Sequence, residues 1–196
     1  MTVSRSTMTR VLHLLLLVAV IHQLVSSLLL ESPRNGAAPA LPWRTHQYFG
    51  MAALVVVFAL WLWTLVRHRE TPLGALVPWF SGRRLRALGA DIAKYGRGIA
   101  RGKLIDDRDS AFAEMVHGLG LLLVTAMAVT GTVWLLAPDG SRFGYLSIRV
   151  HSLLHVLMWA YLAAHAGLAF LHHLLGSDIL SRMFLPRRTP PPAPAE

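Results

Sequence analysis

Ten histidines and no cysteine are the chemical signature of this chain of 196 residues. Imidazole binds metal ions and accepts or donates protons near neutral pH, whereas the lack of thiols excludes disulfides, thiolate metal sites, iron–sulfur clusters and covalently attached haem. Every histidine except His68 falls in or at the edge of a long apolar stretch. An ionisable side chain at that depth is costly, and so is a functional candidate by default. For each one taken singly, the competing reading is a neutral ring hydrogen-bonded to a carbonyl. Depth and azimuth along helices separate these readings, so the elements must be placed first.

The chain is 54% hydrophobic and 15% charged, against roughly 25% charged in soluble domains. Residues 11–30, 45–66, 115–138 and 150–177 contain no Asp, Glu, Lys or Arg, and each is long enough for a bilayer core that takes about 20 residues of helix. An all-α, integral-membrane four-helix bundle follows, with helices expected at about 11–30, 45–66, 112–137 and 147–176 in a domain covering residues 1–185. The first stretch exceeds the about 7–15 residues of a signal-peptide core, so it reads as a retained helix rather than a leader cleaved near Ala38-Pro39-Ala40. The proline-rich residues 186–196 read as a disordered tail. No repeat and no hydrolytic constellation appears.

Fifteen of the 19 basic residues lie at the N-terminus, in the loop between helices 2 and 3, and at the C-terminus. The positive-inside rule then places both termini of this multi-pass chain in the cytoplasm. Within the long loop, Leu85, Leu88, Ile92, Tyr95 and Ile99 recur at helical spacing among Arg83, Arg84, Arg86, Lys94, Arg97 and Arg101. This pattern reads either as an amphipathic helix on the anionic inner leaflet or as a solvated basic segment, and not as a nucleic-acid site. Residues 98–103 lack the spacing and the Ser or Thr of a phosphate loop.

With that topology, helices 1 and 3 run outward and helices 2 and 4 run inward. His151 and His165 are fourteen residues apart, a rise of about 21 Å with only ~40° between their azimuths. His46 is level with His151 near the outer face, and His13 is level with His165 near the inner face. Two imidazoles facing each other across a bundle are the axial ligands of a b-type haem, and two ligands do not make a tetrahedral zinc site. The expected iron ligands are His13 with His165 and His46 with His151, holding two non-covalent haem b.

The remaining histidines take lesser roles. His22 faces away from His13. His155 either hydrogen-bonds a haem edge or packs, and His117 either contacts a quinone or haem propionate or caps its helix. His172 and His173 read as interfacial, with His172 the substitute for His165 under a shifted register. Gly50, one turn after His46, and Ala163, Ala164, Ala166 and Gly167 around His165 would leave room for a porphyrin, although small residues also serve plain helix packing.

These residues resemble the prokaryotic cytochrome b561 type of di-haem membrane protein, a group that includes the b-type subunits of nickel–iron hydrogenases. The resemblance covers residues 10–185 and rests on His13, His46-x-x-x-Gly50, His117 with Gly131, His151 with His165, and the exit His172-His173 followed by Ile179-Leu180-Ser181-Arg182-Met183-Phe184-Leu185-Pro186. It implies the same ligand pairs and electron transport between a quinone pool and a redox partner. The long basic loop is more similar to the hydrogenase-type subunits, and His13-Leu14 stands where a His-Trp pair is often found. A respiratory oxidoreductase's membrane anchor, with a soluble redox subunit docking on the basic loop, is the alternative. A non-haem four-helix transporter or assembly factor is the reading from a different class.

Overall fold

The computed structural model describes residues 5–30, 40–67, 70–103, 105, 110–177, 180 and 183. His68, most of the segment between the first two helices including the Ala38-Pro39 cleavage motif, most of the exit sequence and the 186–196 tail lie outside the described residues. The described elements are all helical. In chain order they are α1 (Thr7–Ser27), α2 (Leu41–Val66), the single turn α3 (Leu73–Leu76), a 3-10 turn (Pro78–Phe80), α4 (Gly82–Ala100), α5 (Ala111–Leu136) and α6 (Arg142–Leu174). Four of them, α1, α2, α5 and α6, have 21, 26, 26 and 33 residues and are long and apolar enough to cross a membrane.

Polar caps set the helix ends and explain why several start earlier than the apolar runs suggest. Ser6, Ser110 and Ser141 each accept a hydrogen bond from the backbone N–H three residues on, in α1, α5 and α6. As a result α1 begins at Thr7 and α6 at Arg142, ahead of their uncharged stretches. α2 begins at Leu41, with Pro42 in its first turn, where its missing N–H costs nothing. Gly140 (φ 72°) turns the chain between α5 and α6, and Gly176 (φ 91°) ends α6.

The long helices form a bundle in the order α1, α2, α5, α6, with close backbone packing of α1 on α2, α2 on α5 and α5 on α6. Leu24, Val57, Val124 and Met158 contribute one buried side chain per long helix to an apolar cluster. Trp61 of α2 closes one edge of it by donating to Thr125 Oγ1 of α5 at 3.0 Å. Such a cluster loses nothing to lipid, since lipid tails are equally apolar; its contribution is close packing.

At the end of the bundle that carries α3 and α4, the loop after α2 ties back to α1. Glu70 accepts from the Ser6 backbone N–H (3.1 Å) and from Thr9 Oγ1 (2.8 Å to Oε2), and pairs with Arg67 at 3.4 Å. Trp63 Nε1 donates to Thr9 Oγ1 at 2.8 Å, and Arg5 donates to Thr71 Oγ1 at 2.8 Å. α1 has no acidic residue in its first turn, so Glu70 supplies the negative charge its N-terminal dipole favours. Burial alone would raise the Glu70 carboxyl, but the hydrogen bonds from Ser6 and Thr9 together with Arg67 outweigh it and hold the group below its ordinary value.

Two further contacts fix the loop. A Cβ on Gly118 of α5 would fall on the Leu76 carbonyl, so the absence of a side chain there lets α3 seat directly on α5. α4 packs on the first turn of α5, where Asp91 accepts from the Phe112 N–H at 3.2 Å and Tyr95 lies against the Phe112 ring.

Candidate functional site

The histidines fall into two groups on either side of the level of Met158. Met158 is seven residues from both His151 and His165 along α6, about 10 Å each way.

In the group near the Gly140 turn, the rings of His46 (α2) and His151 (α6) stand 6.4 Å apart, edge to face. His151 Nδ1 lies 2.9 Å from the Met127 carbonyl, which can only accept, so Nδ1 carries the proton and Nε2 keeps its lone pair. His46 Nδ1 lies 2.9 Å from Ser26 Oγ, whose own hydrogen has the Gln23 carbonyl to go to at 3.2 Å. With the hydroxyl hydrogen on that carbonyl, His46 Nδ1 can donate to Ser26 Oγ, which again leaves Nε2 free. Gln23 also donates to the His46 carbonyl at 2.7 Å. Gly131 on α5 allows the close approach of His151, because a Cβ there would lie 3.1 Å from the ring's Cε1.

The neighbouring histidines are engaged differently. His155 Nε2 accepts from Trp159 Nε1 at 3.0 Å and lies 3.1 Å from Ser27 Oγ, so its lone pair is already used. His22 stacks on Phe49 with ring centres 3.9 Å apart, which wedges it between α1 and α2. The room expected at Gly50 is not there: Gln23 Nε2 fills it, 2.9 Å from where a Cβ would stand.

In the opposite group, His165 lies parallel to Tyr161, ring centres 5.4 Å apart, and edge to face with His117 at 5.2 Å. Tyr161 Oη donates to the Val116 carbonyl at 3.2 Å and sits in the notch left by Gly120. His117 Nδ1 donates to the Ala113 carbonyl at 2.7 Å. His13 interacts electrostatically with both His165 and His117, and its Nδ1 is buried without a hydrogen-bond partner among the described residues. Gly167 faces open space. His173 Nδ1 caps the end of α6 on the Ser177 carbonyl.

This donor set fits a metal held between imidazoles. Two rings bound on opposite sides of one metal by bonds of about 2 Å have their centres about 6 Å apart, close to the 6.4 Å between His46 and His151. Their Nδ1 partners are the outer-shell acceptors that orient ligating histidines and raise their basicity. Among the described residues no group of three or more His, Asp or Glu side chains could close around a metal ion. A macrocycle such as haem would supply the further donors.

Sequence reasoning left His117 with a minor role and missed Tyr161, Gln23 and Ser26. Gly120 and Tyr161 on different helices give no joint pattern in a linear sequence, whereas Gln23 and Ser26 were visible as rare polar residues in an apolar helix.

A family described as prokaryotic cytochrome b561 matches residues 4–186 of the chain. No curated protein and no solved structure matches it.

Proposed function

The chain belongs to the prokaryotic cytochrome b561 family, and is thus a membrane protein of haem b electron transfer; from that premise we propose a di-haem cytochrome that carries electrons between a quinone pool and a redox partner across or within the cytoplasmic membrane. The observation that carries the reading is the 6.4 Å opposition of His46 and His151 with both Nδ1 atoms committed to protein acceptors. Haem b, when bound, supplies reversible one-electron exchange at its iron. His46 and His151 would hold one haem, with Ser26 and Met127 fixing their tautomers. His13 and His165 would hold the other, with Tyr161 keeping the His165 ring in plane. The basic-residue bias puts the α3–α4 end, and so the His13–His165 level, on the cytoplasmic side.

The spacing of His117 and His165 supports a second assignment of the inner pair, in which His117 replaces His13. At 5.2 Å these two rings are closer than the 6.4 Å at which His46 and His151 face each other, and that shorter spacing counts against His117. His13 is the assignment favoured.

The test is a pyridine haemochrome and a dithionite-reduced minus oxidised spectrum of the purified protein. Two haem b per chain are expected, falling to one in His151→Ala and in His13→Ala, and staying at two in His22→Ala. A protein without haem overturns the reading, and loss of the inner haem in His117→Ala but not in His13→Ala reassigns the ligand.

A further inference from the structure

The apolar stripe of α4 spans about 80° of azimuth at 100° per residue, and α5 covers only one flank of it. Leu88 is 8% exposed and Tyr95 packs on Phe112. On the other flank Ile92 is 50% and Ile99 69% exposed, in line with Leu85, and Phe80 just before the helix is 91% exposed. Arg83, Arg86 and Arg97 are exposed on the side opposite this edge. Arg84 lies across Gly74, where a Cβ would collide with its guanidinium, and so joins α4 to α3.

We propose that this outward edge of α4 seats in the headgroup region of an anionic phospholipid bilayer, with the basic face toward water and its long arginine side chains reaching back to the lipid phosphates. Three observations select that occupant. The helix is anchored at Phe112, in the first turn of α5, whose uncharged run begins at Met115, so α4 lies at the level where the bundle enters the membrane. A continuous apolar edge backed by a basic face is the pattern of a helix lying in the plane of the interface. The first turn of α4 holds Arg83 and Arg84 with no acidic residue, which places positive charge at the positive end of the helix dipole, an arrangement relieved by surrounding anions. The inference does not depend on the haem assignment.

Because the chain has no cysteine, single thiols report on α4 without background. Full-length Ile92→Cys and Ala90→Cys proteins, the latter on the basic face, are placed in nanodiscs of phosphatidylcholine alone or mixed with phosphatidylglycerol, and their reaction with a charged maleimide is timed. Ile92→Cys is expected to react several-fold more slowly with phosphatidylglycerol present, Ala90→Cys to react fast in both, and the difference to vanish in the Arg83→Gln/Arg86→Gln/Arg97→Gln background. Nanodiscs offer the same lipid on both faces, so the outcome is independent of orientation. Equal rates at the two positions, or protection of position 92 that ignores lipid charge, would overturn the proposal. Protection seen only in native membranes would overturn it as well and assign the face to a partner subunit.

Discussion

The nitrogen that a histidine gives away decides what its other nitrogen can do. His46 and His151 spend Nδ1 on Ser26 and on the Met127 carbonyl and keep Nε2, whereas His155 spends Nε2 on Trp159. Three histidines at similar depth thus differ in their capacity to bind a metal, a distinction invisible in the sequence because each partner sits on another helix or a turn away. That His46 and His151 meet was legible, since their common level follows from helix direction and depth alone. The closeness of His117 to His165 was not, because it depends on how Tyr161 docks into Gly120. Gly131 gives a test at this scale that leaves every histidine in place. Gly131→Val puts a branched side chain where a single Cβ already lies 3.1 Å from the His151 ring. It should displace the ring and weaken retention of the haem proposed for His46 and His151 by about tenfold or more, read as the haem-to-protein ratio, with the His165 side unchanged.

Elements were legible where composition dominates and less so where single hydrogen bonds act. The four long helices follow from uncharged runs that have no satisfactory state in a bilayer other than a helix with its backbone bonds closed. Their starts shifted by several residues because Ser6 and Ser141 cap beyond the runs. The α4 stripe was read as one face, but α5 divides it into a covered and an open flank. The joint between α1 and the loop after α2 was not foreseen at all, since Glu70 lies 61 residues from Thr9. Its carboxyl is held below the ordinary range, so its contribution to stability is complete above the unfolded-state value and is lost as pH falls through the lowered native one. Thermal unfolding should therefore shift downward on acidification in the native protein. Glu70→Gln should lower the neutral-pH stability by about 2 kcal/mol, typical of hydrogen bonds to a charged group, and flatten that acid dependence.

For the whole molecule, charge determines direction and the rise along α6 determines separation. Fifteen basic residues in the termini and the long loop oppose four elsewhere, and this asymmetry predicts that a C-terminal fluorescent fusion will be active and a C-terminal alkaline phosphatase fusion inactive in bacteria. The reverse pattern would invert every helix and exchange the two histidine levels between faces. Met158, in the apolar cluster with Leu24, Val57 and Val124, stands midway between those levels along α6. The consequence of their separation is electrical. Levels about 21 Å apart in a hydrocarbon core of about 30 Å enclose roughly two thirds of the transmembrane field, so an electron moved between them gains or loses about 1.6 kcal/mol for each 100 mV. Electron transfer between two such levels would be coupled to the membrane voltage by geometry alone, without any proton being carried.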